Sequence, residues 1–136
     1  MSVPILIVDN DSSLRNRMRQ SLEAIGYHVM EASDAESGLR TLRASKDNMV
    51  ALFSITLNRN TMTGADGGAF LGAAACDTRL ARRHGFIIIT PTPGELDAAL
   101  GKLIKQLSIP ILAEPVDMDE MRQLVGEAEL RLLVSA

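Results

Sequence analysis

Polar side chains stand at the ends of four apolar runs in this sequence, and they are the residues best placed to do chemistry. Val3–Val8 runs into Asp9, Asn10 and Asp11; Met49–Thr56 turns polar at Ser54 and Thr56; the run from Gly85 reaches Thr90; and Ser108–Ala113 is followed by Glu114 and Pro115. Carboxylates and hydroxyls of this kind can hold a hard cation through oxygen or orient a hydrogen-bonded ligand. Brought into one cleft at ~4 Å, the acids Asp9 and Glu114 would repel each other by about 1 to 4 kcal/mol, depending on the local dielectric. They are then expected to separate, share a proton or take up a cation, with only solvent or a metal to balance them.

Other chemistries find little support. His28 and His84 have no set of partners for a metal or a catalytic triad, and both read as structural or surface residues. The stretch Gly64-Ala65-Asp66-Gly67-Gly68 lacks the spacing and the lysine of a phosphate-binding loop, and Asp66 would oppose an anion. No nucleophile elbow is present. Cys76 is the single cysteine, which excludes an internal disulfide and a multi-cysteine metal site. Arg79, Arg82, Arg83 and His84 cluster at the expected end of a helix, where cations offset the macrodipole.

The elements that must position these residues follow from periodicity. Apolar runs of strand length alternate with stretches of helical period, the pattern of βαβ units around a parallel sheet. Five strands are expected, over Val3–Val8, Tyr27–Glu31, Met49–Thr56, Gly85–Ile89 and Ser108–Ala113. The continuously apolar runs belong in the sheet interior, covered on both faces. The mixed run at 27–31 and the one carrying Pro110 belong at the edges. Right-handed crossovers then give the order 2-1-3-4-5, a doubly wound (βα)5 flavodoxin-like α/β sandwich.

Helix starts are marked as well. Asp11-Ser12-Ser13 precedes the stripe Leu14, Met18, Leu22 and Ile25, which Gly26 stops. Ser33 with Glu36, Thr92 with Glu95 and Asp117 with Glu120 each read as a cap followed three residues later by Glu. Leu96, Leu100, Leu103 and Leu107 share a face of the fourth helix, and Met121, Leu124, Val125, Ala128 and Leu132 a face of the fifth. The polar segment Leu57–Ala65 is long for a strand-to-helix connection.

Length and composition bound the class. One domain over 1–136 is expected from 136 residues that are 46% apolar. A net charge of -3, with Lys and Arg spread along the chain, argues against nucleic acid as a partner. No apolar run approaches the ~20 residues that cross a bilayer, so no membrane is expected as a partner. Met1-Ser2-Val3-Pro4 carries no basic leader, so a cytoplasmic location is expected.

In a doubly wound sheet, ligands bind beyond the carboxyl ends of the strands at the point where strand order reverses. This rule selects Asp9, Asn10, Ser54, Thr56, Thr90 and Glu114. In that context the opening ILIVDNDSSLRNRMRQSLEAIGY resembles the start of response-regulator receiver (CheY-like) domains. FIIIT with Thr90 is similar to the family's fourth strand and its switch hydroxyl. ILAEPVDMDEMRQLV resembles its fifth strand, the bond into Pro115 and the last helix, and ADGGAFL the start of its third helix. The resemblance covers nearly the whole chain.

It also exposes departures. Members of that family hold Mg²⁺ with two adjacent acids and a phosphoacceptor aspartate on the third strand; here the acid pair corresponds to Asp9-Asn10, and the acceptor position to Ser54. No Asp or Glu lies between Asp47 and Asp66, so realignment supplies no carboxylate. The family's phosphate-pairing lysine corresponds to Glu114, and its aromatic switch to Ile111. Asp9 is the remaining candidate for a Mg²⁺ ligand, and no cofactor is expected.

The resemblance therefore implies a pseudo-receiver without catalytic residues, not an enzyme. It would act in two-component signal transduction by binding a protein: a histidine kinase, another regulator, or itself as a homodimer. The family's interaction face would carry Leu100, Lys102, Ile111 and Arg122. The alternative is a sensor whose altered cleft takes a small ligand or metal; a conventional phosphoaccepting regulator fits less well.

Overall fold

A computed structural model describes residues 3–54, 77–90 and 98–134. Its elements alternate: β1 (Ile5–Val8), α1 (Ser12–Glu23), β2 (Val29–Ala32), α2 (Ala35–Ala44), β3 (Val50–Ser54), α3 (Thr78–Arg83), β4 (Gly85–Thr90), α4 (Ala98–Leu107), β5 (Ile111–Ala113) and α5 (Met118–Val134). All strand pairs are parallel, in the order β2-β1-β3-β4-β5. This is the order expected from the distribution of polar residues among the strands. Among the described residues, no helix is long and apolar enough to cross a membrane.

Alternation along each strand divides the core into two layers. Ile5, Ile7, Val50, Leu52, Ile87, Ile89 and Leu112 face Leu14, Met18 and Leu22 of α1 and Met121, Val125, Ala128 and Leu132 of α5. Leu6, Val8, Ala51, Phe53, Phe86 and Ile88 face Leu42 of α2, Leu80 of α3 and Ile104 of α4. In the second layer Phe53 and Phe86 meet edge to face, centroids 6.4 Å apart. Burial on both faces explains why the central strands carry no polar residue until their carboxyl ends, since each fully buried aliphatic contributes roughly 1.5–3 kcal/mol.

The helix termini follow the sequence in part. Asp11 caps α1 by accepting from the Ser13 and Leu14 amides at 3.0 and 3.1 Å. Gly26, at φ +101°, takes the left-handed conformation that ends the helix. Asp117 caps α5 through the Asp119 and Glu120 amides at 2.8 and 3.2 Å.

The cap expected at Ser33 is instead Asp34. It accepts from the Ser37 amide at 2.7 Å, and that bond holds the Asp34 carboxyl below its usual range. A carboxylate one residue closer to Ala35 both fills the cap and complements the helix dipole. The Thr92–Glu95 cap, Leu96 and the Leu57–Ala65 segment lie outside the described residues. Among the described side chains of α4, Ile104 is buried, with Leu103 and Leu107 half-buried beside it.

Strand starts are displaced from their expected bounds: β1 opens at Ile5 rather than Val3 and β3 at Val50 rather than Met49, and the larger shifts at β5 and β2 have local causes. β5 begins only at Ile111, because Ser108 and Ile109 still serve α4: the Ser108 amide donates to Lys105 O at 3.2 Å and the Ile109 amide to Ile104 O at 2.9 Å. Pro110 stands at the strand's entrance, where a missing donor is tolerated, and accepts from the Ile88 amide at 3.1 Å. β2 starts at Val29 rather than Tyr27. The Tyr27 amide closes the turn after α1 on Leu22 O at 3.1 Å, and the Tyr27 hydroxyl donates to Glu129 of α5 at 3.1 Å.

Candidate functional site

Strand register brings the selected residues to one rim of the sheet. Val8 pairs with Phe53, so Asp9 and Ser54 follow at the same level on neighbouring strands. Ser54 pairs with Ile89, which sets Thr90 one step beyond it. Thr90 pairs with Ala113, and the Glu114 amide donates to Thr90 O at 3.0 Å. Asp9, Ser54 and Thr90 are 2%, 1% and 0% exposed, so three polar side chains are withdrawn from bulk water at this rim. Glu114 is half-buried, and its bond to Pro115 is cis; Asn10 is exposed. Thr56 lies outside the described residues.

Burial of a carboxylate and two hydroxyls requires partners. The Asp9 Oδ1 accepts from the Asp11 amide at 2.9 Å, which fixes the turn from β1 into α1, while Asp11 itself is spent on capping. The first acids of the chain thus hold the loop that carries them.

β1 and β5 are separated by β3 and β4, three inter-strand spacings or about 14 Å of backbone. Of the three outcomes expected for Asp9 and Glu114, strand order favours separation, and at that backbone spacing their repulsion falls from about 1–4 kcal/mol to about 0.3–1.2 kcal/mol.

Arg15, one turn into α1, donates from Nη1 to the Asp9 backbone carbonyl and from Nε to Glu31 of the edge strand at 3.1 Å. Arg19 donates to the same Glu31 at 2.7 Å and to Glu23 at 3.2 Å. Arg15 is the residue that reading by strand ends misses. Its only sequence signal is its place on the helix, four residues after the Asp11 cap.

A Mg²⁺ site of the usual kind needs several charged oxygens within reach of one point. The described rim supplies one carboxylate beside two hydroxyls, with the second carboxylate on β5. Among the described residues, no group of three or more His, Cys, Asp or Glu side chains is arranged to hold a metal ion. This donor set does not fit a three-carboxylate centre.

The residues expected on an interaction face are distributed unevenly. Lys102 is exposed on α4, and Ile111 is half-buried on β5 against the α2–α3–α4 layer. Arg122 donates to Ser21 of α1 and to Asp119, with 30% of its side chain exposed. Because α1 packs over β1 and β2, this turns Arg122 away from the β5 edge. Leu100 belongs to α4, and its side chain lies outside the described residues.

No protein-family model matches the chain, and a search of curated proteins finds no match. Solved structures do match. A response regulator receiver domain protein (CheY-like) from Methanospirillum hungatei JF-1 is 23% identical, with 100% of each chain covered and a TM-score of 0.79. The signal receiver domain of an HD domain-containing protein from Pseudomonas fluorescens Pf-5 is 21% identical over 98% of this chain and 99% of that one, with a TM-score of 0.78. A response regulator receiver domain protein from Clostridium thermocellum is 22% identical over the same shares, also at 0.78. The chain therefore has the fold of CheY-like receiver domains.

Proposed function

We propose that this chain is a receiver-like module of two-component signalling that works by binding a protein partner and does not accept a phosphoryl group. The observation that carries this reading is Ser54, a buried hydroxyl at the carboxyl end of β3 and level with Asp9, in a segment that has no carboxylate from 48 to 65. A serine hydroxyl cannot form an acyl phosphate. Glu114, bonded through its amide to Thr90 O, brings negative charge to the rim where an incoming phosphoryl group would need a cation. A preserved fold around a missing acceptor retains value as a docking surface. Lys102 and Ile111, beside the β5 edge, are the described residues we assign to that surface.

The test is incubation with acetyl phosphate and Mg²⁺, followed by intact-mass analysis and hydroxylamine treatment. The expected result is an unmodified chain. A stoichiometric, hydroxylamine-sensitive phosphorylated aspartate would refute the proposal. Partner binding is then checked by pull-down from the native cell with wild type and Lys102→Glu, the variant being expected to lose the recovered partner.

A further inference from the structure

The sheet ends at β2, and the backbone there points in two directions. The Ile5 amide donates to His28 O at 2.9 Å and the Asp9 amide to Ala32 O at 3.1 Å. Residues 28, 30 and 32 therefore turn their main-chain groups toward β1, which leaves the amide and carbonyl of Val29 and of Glu31 turned outward. Among the described residues, none pairs with these outward groups.

Native edges of this kind are commonly guarded by charge. Glu31 is the charged residue of β2, and it is neutralised within its own chain: Arg15 and Arg19 hold it at 3.1 and 2.7 Å, with Arg19 also pairing to Glu23. On the other face of the strand Met30 is 41% exposed, beside a groove of about 450 Å³ walled by Ser37, Arg40, Thr41, Ala44 and Ser45. The Thr41 hydroxyl donates back to Ser37 O at 2.9 Å and the Ser45 hydroxyl to Asp47 O at 2.8 Å, so this wall turns chiefly carbon toward the groove. Arg40 pairs with Glu36 at 3.6 Å.

Charge selects the occupant. The ion pairs flanking the edge are closed within the chain, two cations against two anions on the α1 face and one against one on α2. A strongly charged segment finds no counterpart there, whereas a second copy meets no repulsion. The backbone pattern is also its own complement. Val29 and Glu31 lie on either side of Met30, so a two-fold axis at Met30 sets Val29 of one copy opposite Glu31 of the other, each such pair exchanging both main-chain hydrogen bonds. The same axis brings the two Met30 side chains together where the grooves join.

We propose that β2 pairs antiparallel with β2 of a second copy about a two-fold axis at Met30, joining the two sheets into one. The joint lies at the opposite edge from Ile111 of β5, so it leaves the surface assigned to a partner uncovered and does not depend on that assignment.

The experiment is sedimentation equilibrium of the full chain from about 10 μM to about 1 mM, the range suited to a contact of transient size. A reversible monomer–dimer equilibrium is expected for wild type. Met30→Lys sets two ammonium groups against each other at the axis and is expected to weaken it at least about tenfold. Met30 is exposed, and unchanged circular dichroism verifies that the variant folds. Register is read by cysteine cross-linking in a Cys76→Ser background, since Cys76 is the single native cysteine. Residues facing each other across such an axis have Cα atoms about 4.5 Å apart, within disulfide reach. Met30→Cys is therefore expected to give a covalent dimer under mild oxidation, and Lys102→Cys is not. A chain that stays monomeric at about 1 mM, or a dimer that Met30→Lys leaves intact, overturns the proposal. Absence of the Met30→Cys cross-link, or one formed as readily through Lys102→Cys, overturns it too.

Discussion

Protonation of His84 should destabilise the fold in a pH window where few other side chains titrate. His84 is 3% exposed, and its Nδ1 accepts the Met49 amide at 3.0 Å, joining the entrances of β3 and β4. Burial lowers its pKa from the ordinary 6.5, and the neighbouring Arg83 charge lowers it further. With the folded value depressed, the neutral ring's contribution is fully present above about pH 6.5. As pH falls through that value the unfolded chain takes up the proton first, and stability is lost until the folded ring titrates too.

One proton gives a limiting slope of about 1.4 kcal/mol per pH unit, so the loss between about pH 7.5 and about pH 5.5 is bounded near 1.4 kcal/mol. Urea unfolding followed by far-ultraviolet circular dichroism at the two pH values measures it. His84→Asn retains an acceptor for Met49 but cannot be protonated, so subtracting its pH profile isolates the imidazole. Parallel profiles for wild type and His84→Asn would show the reasoning to be wrong.

Two further substitutions probe the scaffold around the rim. Asp11→Ala removes the α1 cap and should cost about 1 kcal/mol in urea unfolding, whereas Asp11→Asn should cost less because it keeps an acceptor. Glu129 accepts from the Val3 amide at 2.8 Å and from the Tyr27 hydroxyl at 3.1 Å, tying the start of the chain and the turn before β2 to α5. Glu129→Ala is expected to cost about 1–3 kcal/mol. It should also move the Tyr27 titration, raised chiefly by burial and next by this bond, back toward its ordinary value in an ultraviolet pH titration.

How much of this was legible in the sequence depends on whether a feature is local. The five strands, their order and the two edges were readable because continuous apolar runs report burial on both faces, and β2 and β5 are the runs that break that rule. Asp11 and Asp117 were readable because a cap acts within three residues of itself. Asp34 was not distinguished from Ser33, since both types cap helices and only the observed backbone decides which carboxylate or hydroxyl reaches the free amide.

The candidate rim divides the same way. The amino-acid order alone determined that Asp9, Ser54, Thr90 and Glu114 follow parallel strands, because the carboxyl ends of such strands all lie on one side of the sheet. Tertiary structure decided their spacing: strand order sets Asp9 level with Ser54 but three strands away from Glu114. It alone brought Arg15 onto the Asp9 carbonyl and turned Arg122 toward α1. The first contact depends on the turn between β1 and α1 and the second on elements 101 residues apart, and periodicity and capping encode neither.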